Sequence, residues 1–156
     1  MTVRRVPILF TCSFVAIFAM GGANGQESKI KFTDLPPAVQ ATAKAESKGA
    51  TVKGYAKEIE KGKTEYEVQL VVNGKSRDVS IDPSGKVIET ESLVDFASVP
   101  DRAKDAIQKQ AGGAKVERVE EVKSGNPTVY EAVVHKGGKK REIRVLENGD
   151  KAPAED

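Results

Sequence analysis

Shifted by 64 residues, the chain matches itself without a gap. Phe32 falls on Phe96, Pro36 on Pro100, Gly49-Ala50 on Gly113-Ala114 and Val52 on Val116. Thr64 meets Thr128, Tyr66-Glu67 meets Tyr130-Glu131, and Gly74-Lys75 meets Gly138-Lys139. Arg77 and Gly85 meet Arg141 and Gly149, which completes twelve identities. Leu35/Val99, Leu70/Val134, Asp78/Glu142, Val79/Ile143 and Ile81/Val145 extend the match to similar residues. A self-match that keeps turn glycines and apolar alternation in one register is the mark of a repeated supersecondary unit. The expectation is one unit over 32–92 and a second over 93–150, with a linker at 26–31 and a disordered tail at 151–156.

Each copy opens with a helix signal. Asp34 is the expected N-cap of the first, Pro36 and Pro37 fall in its first turn, and Gly49 ends it. Leu35, Val39, Thr42 and Ala43 make one apolar-leaning stripe, echoed by Val99, Ala103, Ala106 and Ile107 after Ser98. Strands follow. Tyr66, Val68 and Leu70 alternate with Glu65, Glu67 and Gln69, which predicts a strand with one buried face. Asn73-Gly74 is a strong hairpin signal, and Val79 and Ile81 lie on the predicted return strand. In the second copy the corresponding core positions are Tyr130, Val134, Ile143 and Val145. Arg77 and Arg141 are expected to run along a sheet edge with their stems packed. The predicted class is α+β: two tandem units, each one helix packed on a three- to four-stranded antiparallel sheet. A unit of about 60 residues is marginal alone, so the two should pack on or beside each other.

The first 25 residues read differently. Arg4 and Arg5 precede an apolar stretch, Val6–Met20, and Ala23 and Gly25 occupy the −3 and −1 positions of a cut before Gln26. This is the pattern of a secretory signal, and the stretch is short for a membrane span of about 20 residues. The mature protein is therefore expected to be secreted or periplasmic, with no stable membrane span. The whole chain has 25 basic and 23 acidic side chains, and the leader holds two of the bases and none of the acids. The remainder is balanced, which disfavours a nucleic-acid partner, since phosphate binding needs a clustered positive surplus. Cys12, the single cysteine, also lies in the leader, so the rest can form no disulfide and no cysteine-based metal site.

Chemistry-bearing patterns are sparse. His135 is the one histidine, and no second metal-ligand motif accompanies it. Glu117, Glu120 and Glu121 scatter over both sides of a strand. No Gly-x-Ser-x-Gly elbow or nucleophile–base pair is present, so the reading is that the protein is not an enzyme and takes no cofactor or metal.

The run from Phe32 to Val39, the Gly49-Ala50-Thr51-Val52 strand entry, Tyr66-Glu67-Val68 and the turn from Asp82 to Gly85 resemble the PepSY-like, beta-lactamase-inhibitor-like repeat of bacterial envelope proteins. Phe96, Val99-Pro100, Gly113-Ala114, Tyr130-Glu131 and Asn148-Gly149 repeat that frame. The resemblance implies a secreted or periplasmic non-enzymatic domain with a helix on an antiparallel sheet. It also implies a partner lying against the exposed sheet surface, as in the inhibitors. This chain lacks the tryptophans and disulfides of those inhibitors.

The outer positions of the second hairpin, Val129, Glu131, Val133 and His135, include two valines on a face that alternation assigns to solvent. An apolar strip there marks a contact surface. The expected function is a binding module, inhibitory in some relatives, that contacts an envelope protein or peptide through its sheet. The alternative is a structural envelope protein without a specific ligand.

Overall fold

The computed structural model describes residues 26–60 and 62–153. The leader, with its signal pattern and Cys12, and residues 154–156 lie outside the described residues. Eight strands pair antiparallel in chain order: β1 (Gln26–Ile30), β2 (Thr51–Glu60), β3 (Lys63–Val72), β4 (Lys75–Ile81), β5 (Val87–Val94), β6 (Lys115–Lys123), β7 (Val129–Lys136) and β8 (Lys139–Leu146). Helix α1 (Pro37–Glu46) lies between β1 and β2, and α2 (Asp101–Ala111) between β5 and β6.

Local chemistry sets these boundaries. A residue before proline is pushed into extended backbone, so Leu35 (ψ 143°) and Val99 (ψ 139°) cannot be helical. Each α-helix therefore starts only after Pro36 or Pro100. The predicted caps, Asp34 and Ser98, sit one element earlier, at the ends of short 3₁₀ turns over Phe32–Asp34 and Phe96–Ser98. There the Asp34 carboxylate accepts a bond from the Lys31 amide at 2.9 Å. Asn73 and Gly74, with φ of 50° and 80°, turn β3 into β4, and Gly137 and Gly138 do the same for β7 and β8. Left-handed backbone at both central residues suits a tight hairpin whose twist matches the strands.

Both helices cover the same face of the sheet. Val39 and Ala43 of α1 pack with Leu35 on Val68, Leu70, Val79 and Ile81, with Tyr66 at the margin. Ala103, Ile107 and Ala111 of α2 pack with Val99 on Val119, Tyr130, Val134, Ile143 and Val145. Two turns are clamped against the helices. A Cβ on Gly85 would come within 2.9 Å of the Ala38 carbonyl oxygen, and one on Gly149 within 2.7 Å of the Arg102 carbonyl oxygen. With φ of +90° and +87°, neither position accepts a side chain. The Thr42 hydroxyl adds a 2.6 Å bond to the Gly85 carbonyl.

The architecture is a single unit built on one continuous sheet, which corrects the expectation of two tandem helix-on-sheet units. The starts of several elements do recur at the 64-residue spacing, as at Phe32/Phe96 and Lys75/Lys139. However, β5 pairs with β4 on one side and with β6 on the other. The proposed boundary at 92/93 thus falls within a strand, β5. The physical reason lies in strand edges: separate sheets would leave β4 or β6 with a row of unpaired backbone groups, and β5 satisfies both. The 26–31 linker is likewise corrected, because Gln26–Ile30 forms the edge strand β1 against β2. At the other edge Lys151 bridges to Val145 and Ala152 is only 4% exposed, so the first residues of the supposed tail are held in place. Arg77 does not lie along a sheet edge: it is on the interior strand β4 and reaches Glu46 of α1 at 2.8 Å, whereas Arg141, on the edge strand β8, donates to the Gln110 carbonyl at the end of α2.

Candidate functional site: the helix-free face of the sheet

Strand alternation sends every second side chain to the face opposite the helices. No helix among the described residues lies over that face. One cross-strand row there runs Gln69, Asp78, Glu91, Val122, Val129, Leu146 from β3 to β8. A neighbouring row runs Leu93, Glu120, Glu131, Arg144 from β5 to β8. At the β1 side, Glu27, Glu58 and Glu65 oppose one another across three strands. The face is acidic over β1–β5 and mixed over β6–β8.

Its charges are handled in two ways. On β6–β8, Arg118 pairs with Glu120 at 3.0 Å and Arg144 with Glu131 at 2.7 Å, so two directly opposed glutamates each have a guanidinium. On β3–β5, Glu67 is only 5% exposed and accepts a 2.7 Å bond from the Gln69 amide. Asp78 and Glu91 face each other in register, and neither has a Lys or Arg in ion-pair reach among the described residues. Burial pushes Glu67 up to about 7, against the pull of the Gln69 bond. Burial also raises Asp78 to about 6, reinforced by Glu120 and opposed by Arg118. Glu91 is raised furthest, to about 8, by burial and then by the charges of Glu89, Glu120, Glu131 and Asp78. Glu120 is shifted upward by burial despite Arg118.

The residues singled out from sequence spread over this region. Val129 is half-buried and stands opposite Val122 and Leu146. Glu131 is engaged by Arg144, and Val133 is only 8% exposed, so its apolar surface is already largely covered. His135 lies 3.7 Å from Glu117, which is bound more closely by Lys140 at 2.8 Å. Lys140 holds the Glu117 carboxyl below its ordinary range. On the opposite face, Tyr130 is buried and donates its hydroxyl to Glu121 at 3.2 Å. Burial and the Glu121 charge push that phenol up to about 12.

Sequence reasoning did not single out Glu67, Asp78 or Glu91, and it read Glu120 only as part of a scattered acidic cluster. Alternation placed the first two on the solvent side, but which acids stand opposite which depends on register across strands far apart in sequence. No group of three or more His, Cys, Asp or Glu side chains suited to a metal ion occurs among the described residues. No helix among them is long and apolar enough to cross a membrane.

The family model described as "Peptidase propeptide and YPEB domain", PepSY, matches residues 37–91. The fold is similar to that of a periplasmic protein from Bacteroides eggerthii, at 20% identity and a TM-score of 0.64, over 76% of this chain and 86% of that one. A BLIP-like protein from Bacteroides fragilis aligns at 22% identity and a TM-score of 0.60, over 76% and 84% of the two chains. A DUF2874 family protein from Bacteroides ovatus aligns at 20% identity and a TM-score of 0.62, over 77% and 86%. Among curated proteins, no sequence matches the chain. The family match runs from the start of α1 into β5, and the chain therefore carries a PepSY-like domain.

Proposed function

We propose that the protein is a non-enzymatic module of the bacterial periplasm that takes a protein or peptide segment on the helix-free face of its sheet. The observation that carries this reading is the face itself: eight paired strands with no covering helix among the described residues, and half-buried Val129, Leu146 and Leu93 set among carboxylates. A wide sheet surface with an apolar row and charged surroundings suits an extended protein partner better than a small molecule. Val129, Glu131 and His135 form the β7 part of the contact, with Leu146 beside Val129 and the covered Val133 as support beneath it. The periplasmic descriptions of similar folds and the export-signal pattern of the leader support the location.

The test is capture from an envelope extract with the mature protein and two variants. V129K places a charge in the apolar row, whereas K109E alters an exposed residue of α2 on the other face. The expected result is a partner retained by the parent and by K109E and lost with V129K. A partner held equally by V129K overturns the reading.

A further inference from the structure

Between the two hydrophobic clusters the sheet has a weak seam. The cluster under α1 and the cluster under α2 share no residue, and they meet only through β5. Every residue of β5 is partly exposed and none is fully buried. On the helix-covered face its neighbours across the strands are largely polar: Thr90 stands between Val79 and Lys123, and Ser92 between Arg77 and Glu121. On the free face Asp78 and Glu91 oppose each other directly across β4–β5. Like charges at directly opposed positions destabilise strand pairing.

We propose that β5 is a hinge between the two halves of the sheet and that the protonation state of the Asp78–Glu91 pair sets its stiffness. With a proton on the pair, one carboxyl can donate to the other and β4–β5 is held. With both ionised, the repulsion falls on a strand that has no fully buried residue to resist it. The surroundings favour the protonated form. Asp78 faces Gln69 and Glu67 on β3, Ser76 and Ser80 on its own strand, and Glu120 and Arg118 on β6. Glu91 faces Val122 and Glu120 on β6, Glu131 on β7, and Glu89 and Leu93 on its own strand. The two arginines of this face are already bound, Arg118 to Glu120 and Arg144 to Glu131.

The direction of the effect follows from proton linkage. The raised Glu91 and Asp78 carboxyls mean that the folded chain binds more protons than the unfolded chain between their ordinary values and about 8. Their contribution to stability is therefore full below their ordinary values, near pH 4, and is lost as pH rises through about 8.

The experiment needs no partner, so its outcome is separate from that of the capture test. Melting temperature is measured from pH 5 to pH 8.5 for the parent, E91Q and D78N, and amide exchange is followed at pH 6 and pH 8.5 in the parent. The parent is expected to lose roughly 5 °C or more across this range. E91Q should flatten the profile and melt higher than the parent at pH 8.5, with D78N giving a smaller change in the same direction. After correction for intrinsic rates, β5 amides should lose protection at pH 8.5 while those of β3 and β7 keep it. Profiles for both variants parallel to the parent overturn the proposal, as does a loss of protection spread evenly over the sheet.

Discussion

The β3–β5 and β6–β8 parts of the helix-free face solve one problem in opposite ways. Each brings two carboxylates into direct opposition, Asp78 with Glu91 in the first and Glu120 with Glu131 in the second. In the second, Arg118 and Arg144 supply opposing charge at 3.0 and 2.7 Å. In the first, the relief comes from protons, and the carboxyls sit at about 6 and about 8. A guanidinium is charged at every ordinary pH, so the β6–β8 arrangement keeps its opposing charge as pH rises. A retained proton is lost within the range that bacteria meet, so the β3–β5 arrangement is sensitive to it.

This contrast is open to direct attack. The largest expected effect comes from R144A, which removes the guanidinium paired with half-buried Glu131. A loss of about 2 kcal/mol is expected in urea unfolding, less than for a fully buried pair because both side chains keep some exposure. The loss should grow as pH rises and Glu131 ionises. S80K tests the converse by placing a cation on β4, directly opposite Glu67 and Glu89. It should add about 1 kcal/mol at pH 8 and much less at pH 5. Replacing the pair as a whole, with E131L and R144M together, should leave stability within ~1 kcal/mol of the parent, because two well-packed apolar groups can stand in for a buried ion pair. E65Q, on the same face but outside the seam, should change stability by less than ~0.5 kcal/mol and keep the parent's pH profile. An equal response of E65Q and E91Q to pH would erase the distinction between the two regions.

Much of the local architecture was legible in the residues. The Asn73-Gly74 turn, the period-2 alternation of Tyr66, Val68 and Leu70, and the stops at Gly49 and Gly112-Gly113 are all encoded within a few positions of where they act. The helix starts were misplaced because proline restrains its predecessor as well as itself, which moved Asp34 and Ser98 into 3₁₀ turns. The larger misreading was the division into two units. Residues 87–94 have a weak strand pattern and no apolar face, so nothing nearby in sequence reveals that this segment pairs on both sides. The candidate site suffered in the same way. Val133 reads as exposed by alternation yet is covered, while Glu91 reads as an ordinary surface acid yet is among the most perturbed groups of the face.

The sequence by itself determined the short-range features: which residues turn and which alternate. Those depend on backbone sterics and side-chain period, and both act over a few residues. Only the tertiary structure decided that the strands share one sheet and that Asp78 meets Glu91. Cross-strand register is a long-range property, set when edge strands find partners, and it alone determines which charges must live side by side.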